Sequence, residues 1–451
     1  MACARSAGRG GAMIPIATVE TMRRADARAV ARRGQDTLVR DAGLAVALAA
    51  RDLLGVVYGR RVAALVGPGL NGADGRVAAD QLRRRGARVD LVDVASQPPA
   101  LRGYDLVIDA AFGLGCSRPY RAPHVPPTTL VVAVDLPSGV DADTGDVLGQ
   151  PLRADLTVAL GALKPAHVTG HAAAYAGELR VATVGIDVES PAGVVTPDDL
   201  GAFVRWSHDD HKWVHALDVV AGSARMPGAA DLVTRGALAA GASMIRLTSR
   251  EPLGAVALAS EVVRSDGQVD RRSRAVVAGP GLGRDAAAWL SELLTPVRVP
   301  VVLDADGLSP DVLELPHPPE EWVLTPHDGE YERLRGTPAG SDRMSAARSL
   351  AEASDCVVVL KGPTTFVAAP DGRLRVVRSG TSALATAGTG DVLAGIIGAS
   401  IARGHDAFEA AALGAFVHGL AGARLARYAR AGDLPAAVAA VLSEHEPAPL
   451  P

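Results

Sequence analysis

The sequence predicts an α/β protein built on mostly parallel sheets and divided into two domains. Three observations carry that expectation. Short apolar runs rich in Val, Leu and Ala alternate with longer stretches of helical periodicity. At roughly 150 residues per domain, 451 residues make two or three domains. The alternation breaks over residues 196–216, where TPDDLGAFVRWSHDDHKWVHA is polar and rich in His and Asp. The break places the boundary near residue 205, with domains at 14–205 and 206–451.

The elements follow in order. Residues 17–54 carry apolar positions at helical spacing, among them Met22, Ala25, Ala29 and Val30. Residues 62–66 read as a buried strand ending in glycines, and 73–85 as the helix after it. Strands are expected at 89–94, 106–111, 130–134 and 156–160. Their near-continuous apolar character fits strands covered on both faces. In the second series, strands are expected at 217–221, 243–247, 274–278, 300–303, 322–324, 356–360 and 365–368. An Ala-rich helical region, from about residue 391 to 440, closes the chain.

Composition narrows the function classes. Hydrophobic residues make up 48% and charged residues 21%, a globular balance that excludes a mainly disordered chain. Aromatics are only 3%, so the core must be built from Ala, Val and Leu. A net charge of -4 supplies no global basic field, so neither nucleic acid nor membrane is an expected partner. Cys3, Cys116 and Cys356 have neither metal-ligand spacing nor an even disulfide framework, which fits a reducing, cytoplasmic setting. No apolar stretch of about 18 residues is free of charge or turn residues, so no membrane span is expected. MACARSAGRGGA reads as a loose N-terminal tail. Only three of the 46 basic residues are lysine: Lys164, Lys212 and Lys361. Under so strong a bias towards arginine, a lysine marks a place where a compact ammonium is needed, or is a chance survivor.

In the first domain, strand 62–66 runs into Gly67-Pro68-Gly69-Leu70-Asn71-Gly72-Ala73-Asp74-Gly75. Glycines 67, 69 and 72 fit the spacing of a phosphate-cradling turn between strand and helix. Asp90 and Asp93 lie close to where a dinucleotide-binding domain keeps its ribose-binding acid, so an NAD-type redox domain is a rival reading. Against it stand the polar Asn71 and Asp74 in the loop. Asp109 and Asp135 end strands at the carboxyl edge, where open α/β sheets bind ligands. Asn71, Asp109 and Ser138 can converge as oxygen ligands for a monovalent or divalent cation; singly, each acid could simply cap a helix or close a turn.

LVGPGLNGADGRVAADQL, DLVIDAAFGLG, VVAVDLPSGVDADTG and TVALGALKPAHVTG resemble the NAD(P)HX epimerase family over most of residues 14–190. That family interconverts the hydrated, damaged nicotinamide cofactors NADHX and NADPHX on a Rossmann-like fold. By this resemblance, Leu70, Asn71, Gly72, Ala73 and Asp74 line the substrate together with Gly113, Leu114, Gly115, Cys116, Ser117, Arg118 and Pro119. Asp135 touches substrate and is the candidate for proton transfer, while Asn71, Asp109 and Ser138 hold potassium. Lys164 falls in the family's Lys-Pro segment. Where the family loop usually reads NNGGDG, this chain reads LNGADG. Leu70 thus replaces a hydrogen-bonding amide, and Ala73 replaces a glycine expected to need an unusual φ.

The second domain carries Gly279-Pro280-Gly281-Leu282-Gly283, Asp304-Ala305-Asp306, Thr325-Pro326-His327 with Gly329-Glu330, Lys361 to Thr365, and Ala387-Gly388-Thr389-Gly390-Asp391 before an apolar helix. The glycines leave the amides of Thr389, Gly390 and Asp391 to face an anion at the helix N-terminus. Asp391 is a helix cap or a general base. Lys361 puts an ammonium at a strand end, yet no P-loop motif is present. This set resembles the ribokinase-like superfamily, and more closely its ADP- or ATP-dependent NAD(P)HX dehydratase branch. The resemblance implies that Lys361, Gly362, Pro363, Thr364, Thr365 and Gly390 contact the nucleotide, with Asp391 as base. Ala229, Gly281 and His327, with Asp391, contact NAD(P)HX, and Mg2+ accompanies ADP or ATP. Asp304 and Asp306 would order the waters of that ion. The family's HKG, GGS, TPHPGE and DADALN segments are altered here to His211-Lys212-Trp213, Ala221-Gly222-Ser223, TPHDGE and DADGLS.

The two resemblances together imply a Rossmann-like three-layer domain followed by a ribokinase-like α/β domain, fused as a bifunctional repair enzyme that works as a homo-oligomer. Two alternatives stay open: a dehydratase with a non-catalytic N-terminal domain, and a ribokinase-like small-molecule kinase attached to a redox domain.

Overall fold

The computed structural model describes residues 13–203, 211–265, 267–318, 321–426 and 428–446. The tail MACARSAGRGGA, Cys3 and the boundary near residue 205 lie outside them. The chain forms two compact units, Ile14–Ala192 and Gly193–Pro451. By Val195 it has joined the second sheet, because the Val195 amide donates to the Val376 carbonyl at 3.0 Å.

The first unit carries a six-stranded, all-parallel sheet. In spatial order its strands are Arg88–Asp93, Arg61–Val66, Leu106–Ala110, Leu130–Val134, Leu156–Leu160 and Glu178–Ala182. The central strands are buried along their length, which is why they read as unbroken apolar runs. The 17–54 region is two helices, Val19–Arg33 and Gln35–Leu54, parted at Gly34 with φ +79°. Helix Gln35–Leu54 lies close on helix Leu70–Arg84: a Cβ on Gly43 would stand 2.4 Å from Cβ of Val77. From strand Arg61–Val66 the chain goes first to one side and then to the other. That reversal opens a crevice beyond the carboxyl ends of Arg61–Val66 and Leu106–Ala110.

The second unit repeats the device. Beyond Ala192–Val194, its strands run in spatial order Leu374–Val377, Thr365–Ala368, Val357–Leu360, Trp322–Leu324, Val301–Leu303, Ala275–Ala278, Ala216–Val220, Met244–Thr248 and Val262–Arg264. All pairs are parallel except the two made by Thr365–Ala368, which are antiparallel. Here the order reverses between Ala216–Val220 and Ala275–Ala278. The long C-terminal region is three helices, Thr389–Ala402, Ala407–Arg424 and Leu434–Glu444. The first two are apolar nearly all round, as central helices are. A core poor in aromatics is closed by small residues. A Cβ on Gly395 would stand 2.2 Å from the Val233 carbonyl oxygen of helix Pro227–Ala239. Gly395→Ala is therefore expected to destabilise this unit by about 1–3 kcal/mol or more, measured by denaturant unfolding. Among the described residues, no helix is long and apolar enough to cross a membrane.

Candidate active sites

The first site grows from the turn after strand Arg61–Val66. The helix starts at Leu70, not at residue 73 as its sequence suggests, so Leu70 to Asp74 form its first turn and not a loop. Ala73 is ordinary helix, with its amide on the Gly69 carbonyl at 3.1 Å, and needs no glycine φ. Ala73→Gly is accordingly expected to cost up to about 1 kcal/mol of stability without raising the rate at this site. Of the three spaced glycines, two serve close packing. A Cβ on Gly67 would meet the Ala111 carbonyl oxygen at 1.9 Å, and one on Gly72 the Gly67 carbonyl oxygen at 2.0 Å, while Gly69 is open. The supposed ribose acids are spent elsewhere. Asp90 accepts from the Tyr104 hydroxyl at 2.9 Å, and Asp93 from the Ala95 amide at 2.8 Å. That removes the main support for a redox dinucleotide domain.

A cavity of about 460 Å³ opens beside this turn. Leu70, Asn71, Asp74, Gly113, Leu114, Gly115, Cys116 and Asp135 line it, as do Asp26 and Lys164. Of the expected substrate-lining residues, Gly72, Ala73, Ser117, Arg118 and Pro119 are not on its wall. Asp135 holds a left-handed φ of +65°, a strained conformation for a residue other than glycine. Its carboxylate is fixed by the Leu160 amide at 2.9 Å and by an ion pair with Lys164, whose side chain is fully buried. Lys164 Nζ also donates to the Leu160 and Ala162 carbonyls at 2.9 and 3.0 Å. His167 accepts the Lys164 amide at Nδ1, so Nε2 carries the proton it donates to the Asp135 carbonyl at 2.8 Å. This net explains why one of three lysines sits here: three donors on a compact ammonium meet three oxygens. Burial, then the charges of Asp135 and Asp26, push the Asp74 carboxyl up to about 8. Asp74 is therefore largely protonated at neutral pH and able to donate.

Asn71, Asp109 and Ser138 do converge. The Ser138 hydroxyl donates to Asp109 at 2.6 Å and its amide donates to the same carboxylate at 2.9 Å. Asn71 Nδ2 donates to the Phe112 carbonyl at 3.0 Å, and the Ser138 hydroxyl accepts from the Phe112 amide at 2.9 Å. Asp109 is fully buried, and burial raises its pKa. The cluster offers oxygen atoms around one buried carboxylate, the donor set of a hard monovalent cation.

The second site gathers at the ends of strands Val301–Leu303, Trp322–Leu324 and Val357–Leu360. Lys361 Nζ donates to Asp304 at 2.8 Å and lies 3.7 Å from Glu330. Thr325 Oγ1 donates to the same Asp304 oxygen at 2.6 Å. Burial works against the Lys361 charge, but Asp304, Glu330 and Asp391 hold its pKa above the ordinary value. Gly390 faces this group: a Cβ there would stand 3.4 Å from Lys361 Nζ and 3.7 Å from Asp304 Oδ2. Asp391 follows in the first turn of helix Thr389–Ala402. Burial and the Asp304 charge raise its carboxyl to about 7, against the pull of Lys361. The Thr389 amide turns back to the Thr386 carbonyl at 3.3 Å, so it is not one of the anion-facing amides expected. The first helix-type bond is from Val392 to Gly388, which leaves the Gly390 and Asp391 amides ahead of it.

The outlying residues fall into place differently. Gly281, with φ +68°, lies against Ala229, where a Cβ would stand 2.7 Å from the alanine methyl. His327 is exposed and caps helix Asp328–Arg335, accepting the Gly329 and Glu330 amides at 3.0 and 3.2 Å. It is tied to the Lys361 cluster through Glu330, which accepts the His327 amide at 2.9 Å. Gly362, Pro363 and Thr364 follow Lys361 on the surface side, and Thr365 opens the next strand. Asp306 spends an oxygen on the Gly283 amide at 2.9 Å, whereas Asp304 faces Lys361 and Gly390. Lys212 stands outside both groups, its carbonyl accepting from the Ser243 hydroxyl at 3.2 Å. Sequence reasoning missed Asp26 and the Phe112 carbonyl as parts of the two sites, named Glu330 without a role, and placed Lys164 in a family segment without assigning it one.

Comparison with known proteins agrees with this division. Residues 217–443 match the family model described as NAD(P)H-hydrate dehydratase, and residues 35–103 and 93–166 that of the YjeF-related protein N-terminus. The chain is 39% identical over 431 residues to the bifunctional NAD(P)H-hydrate repair enzyme Nnr of Mycobacterium leprae, covering 86% of this chain and 88% of that one. A crystal structure of ADP/ATP-dependent NAD(P)H-hydrate dehydratase from Bacillus subtilis, co-crystallized with ATP/Mg2+, is 28% identical. It covers 54% of this chain and 94% of its own, with a TM-score of 0.49. A ribokinase-like superfamily protein from Enterococcus faecalis aligns at 21% identity and a TM-score of 0.51, covering 57% of this chain and 98% of its own.

Proposed function

The chain belongs to the bifunctional NAD(P)H-hydrate repair enzyme family, and from that premise we propose how its two units divide the work. The first unit interconverts the R and S hydrates of NADH and NADPH. The second dehydrates the S form to NAD(P)H while ADP or ATP gives up a phosphoryl group. The observation that carries this reading is the pairing of two unlike carboxyl sites, each beside one of the rare lysines. One is the Asp135–Lys164 cavity, and the other is Asp391 beside Lys361 at a helix N-terminus.

Hydration of an enamine puts hydroxyl on the ring carbon next to nitrogen, because the nitrogen lone pair stabilises positive charge there. That carbon inverts when the hydroxyl leaves and water returns from the other face. Asp74 donates the proton that lets the hydroxyl depart as water. Asp135, held by Lys164 and the Leu160 amide, lies along the cationic ring so formed. Asn71, Asp109, Ser138 and the Phe112 carbonyl are the residues that would hold potassium, which would supply a fixed positive charge beside the substrate's phosphates.

In the second unit, Asp391 takes the hydroxyl proton as the hydrate oxygen attacks the terminal phosphorus. The bond from phosphorus to the leaving nucleotide oxygen breaks, with its electron pair going to that oxygen. Lys361 and the Gly390 and Asp391 amides face the transferring phosphoryl group, and Lys361 to Thr365 carry the nucleotide. Phosphate then leaves the ring carbon, and loss of the neighbouring C–H proton restores the double bond. Magnesium, whose waters Asp304 would order through Oδ2, would neutralise phosphate charge. Neither half is a net oxidation or reduction. Free Cys116 and Cys356 support a cytoplasmic setting.

The test is the fate of the phosphoryl group. The S hydrate with ADP should give one NAD(P)H and one free phosphate per nucleotide consumed. Accumulation of a stable phosphorylated product would instead favour a small-molecule kinase.

A further inference from the structure

The epimerase cavity holds more acid than Asp135 and Asp74 account for. Asp26, from helix Val19–Arg33, lines the same wall space, and the titratable groups there are Asp26, Asp74, Asp135, Lys164 and Cys116. Three carboxyls thus face one ammonium. Asp135 is committed to Lys164. Asp26 and Asp74 are instead half-buried or buried carboxyls that no hydrogen bond from a described neighbour fixes. They come from two different helices; burial and then the Asp135 charge raise both carboxyls, against the pull of Lys164 on Asp26, and the Asp26 charge adds to the rise at Asp74. Three carboxyls against a single ammonium in one cavity favour a proton on the Asp26–Asp74 set.

Epimerisation asks for such a set. The hydroxyl leaves one face of the ring and water enters at the other, so one group must give a proton on the first face and another must take one on the second. We propose that Asp26 is the second proton-transfer residue of this cavity, sharing a single proton with Asp74 so that one carboxyl protonates the departing hydroxyl while the other receives the proton of the water that adds. The C–O bond breaks with its pair going to oxygen, which leaves as water, and the nitrogen lone pair forms the C=N bond. The incoming water oxygen bonds the same carbon, the C=N pair returns to nitrogen, and the surplus proton passes to the ionised carboxyl. The set ends with one proton, its place exchanged, and works equally in reverse. The proposal rests on the epimerase reading of this unit.

The experiment follows R-to-S interconversion in the full-length protein against pH, for the wild type and Asp26→Asn. The wild-type profile of kcat/KM should be bell-shaped, because only the singly protonated pair works. Asp26→Asn should slow interconversion about 100-fold and lose one limb of the bell, with KM changed far less. A variant within about threefold of wild type, or one that is slower but keeps both limbs, would overturn the proposal while leaving the epimerase reading intact. A wild-type profile with a single limb would overturn it without reference to any variant, so a misfolded Asp26→Asn does not decide the matter. No wild-type interconversion above the spontaneous rate would overturn the epimerase reading and this proposal together.

Discussion

Asp391→Asn should remove dehydration almost entirely, lowering kcat by roughly 10³–10⁴-fold, at the upper end for loss of a general base. The residue stands in the first turn of a buried helix, where its own amide and that of Gly390 precede the first helix-type bond. Burial and the Asp304 charge raise its carboxyl to about 7, so the ionised form that accepts a proton builds up through neutral pH. The sign follows from that. Activity that needs the ionised form should climb as pH rises through about 7 and level off above it. The asparagine variant keeps the Lys361–Asp304 pair and the Gly390 amide, so nucleotide affinity, read by calorimetry, should change by no more than a few-fold. Retained turnover near the wild-type rate would assign the base elsewhere in the cluster.

Lys164→Met should be the most destabilising single change in the first unit, at about 3–5 kcal/mol. The lysine is fully buried and gives its donors to the Asp135 carboxylate and the Leu160 and Ala162 carbonyls. Methionine fills similar volume but leaves those three oxygens without that donor in a dry interior. Asp135 keeps only the Leu160 amide, in a backbone conformation already strained. Denaturant unfolding should show an early loss of the first unit, and S-hydrate dehydration by the second unit should continue. An unfolding curve shifted by less than about 1 kcal/mol would mean that the pair contributes little to the fold.

Much of this was legible in the residues. Strands 130–134, 156–160 and 322–324 stand where the apolar runs put them, because a parallel strand covered on both faces has no polar positions to blur its ends. The helix start at Leu70 was misplaced because Asn71 and Gly72 are poor helix interiors. They are tolerated in a first turn, where Gly72 also lets the strand-end carbonyl of Gly67 approach. The strand Leu374–Val377 went unread because Arg375 breaks its run, although its guanidinium turns to Glu409 at 2.9 Å. At the sites, Asp109 with Ser138 and Lys361 with Gly390 could be paired from their positions at strand ends and helix starts. Asp26 could not, since an aspartate in an Arg-rich amphipathic helix looks like any solvated residue until the fold turns it into a cavity. Glu330 could be named with its motif but given no role, because that role is set by the distance to Lys361, 31 residues later in the chain.

The central claim is that two chemistries share one chain, and a single assay tests it most directly. A mixture of R and S NADHX is given to the purified protein with magnesium, potassium and ADP or ATP, and NADH absorbance is followed. The account predicts complete recovery of NADH at a rate well above spontaneous epimerisation, with the R fraction consumed as fully as the S fraction. Recovery that stalls when the S form is spent, then creeps at the spontaneous rate, would contradict it and leave the first unit, with Leu70 at the mouth of its cavity, without the chemistry assigned to it.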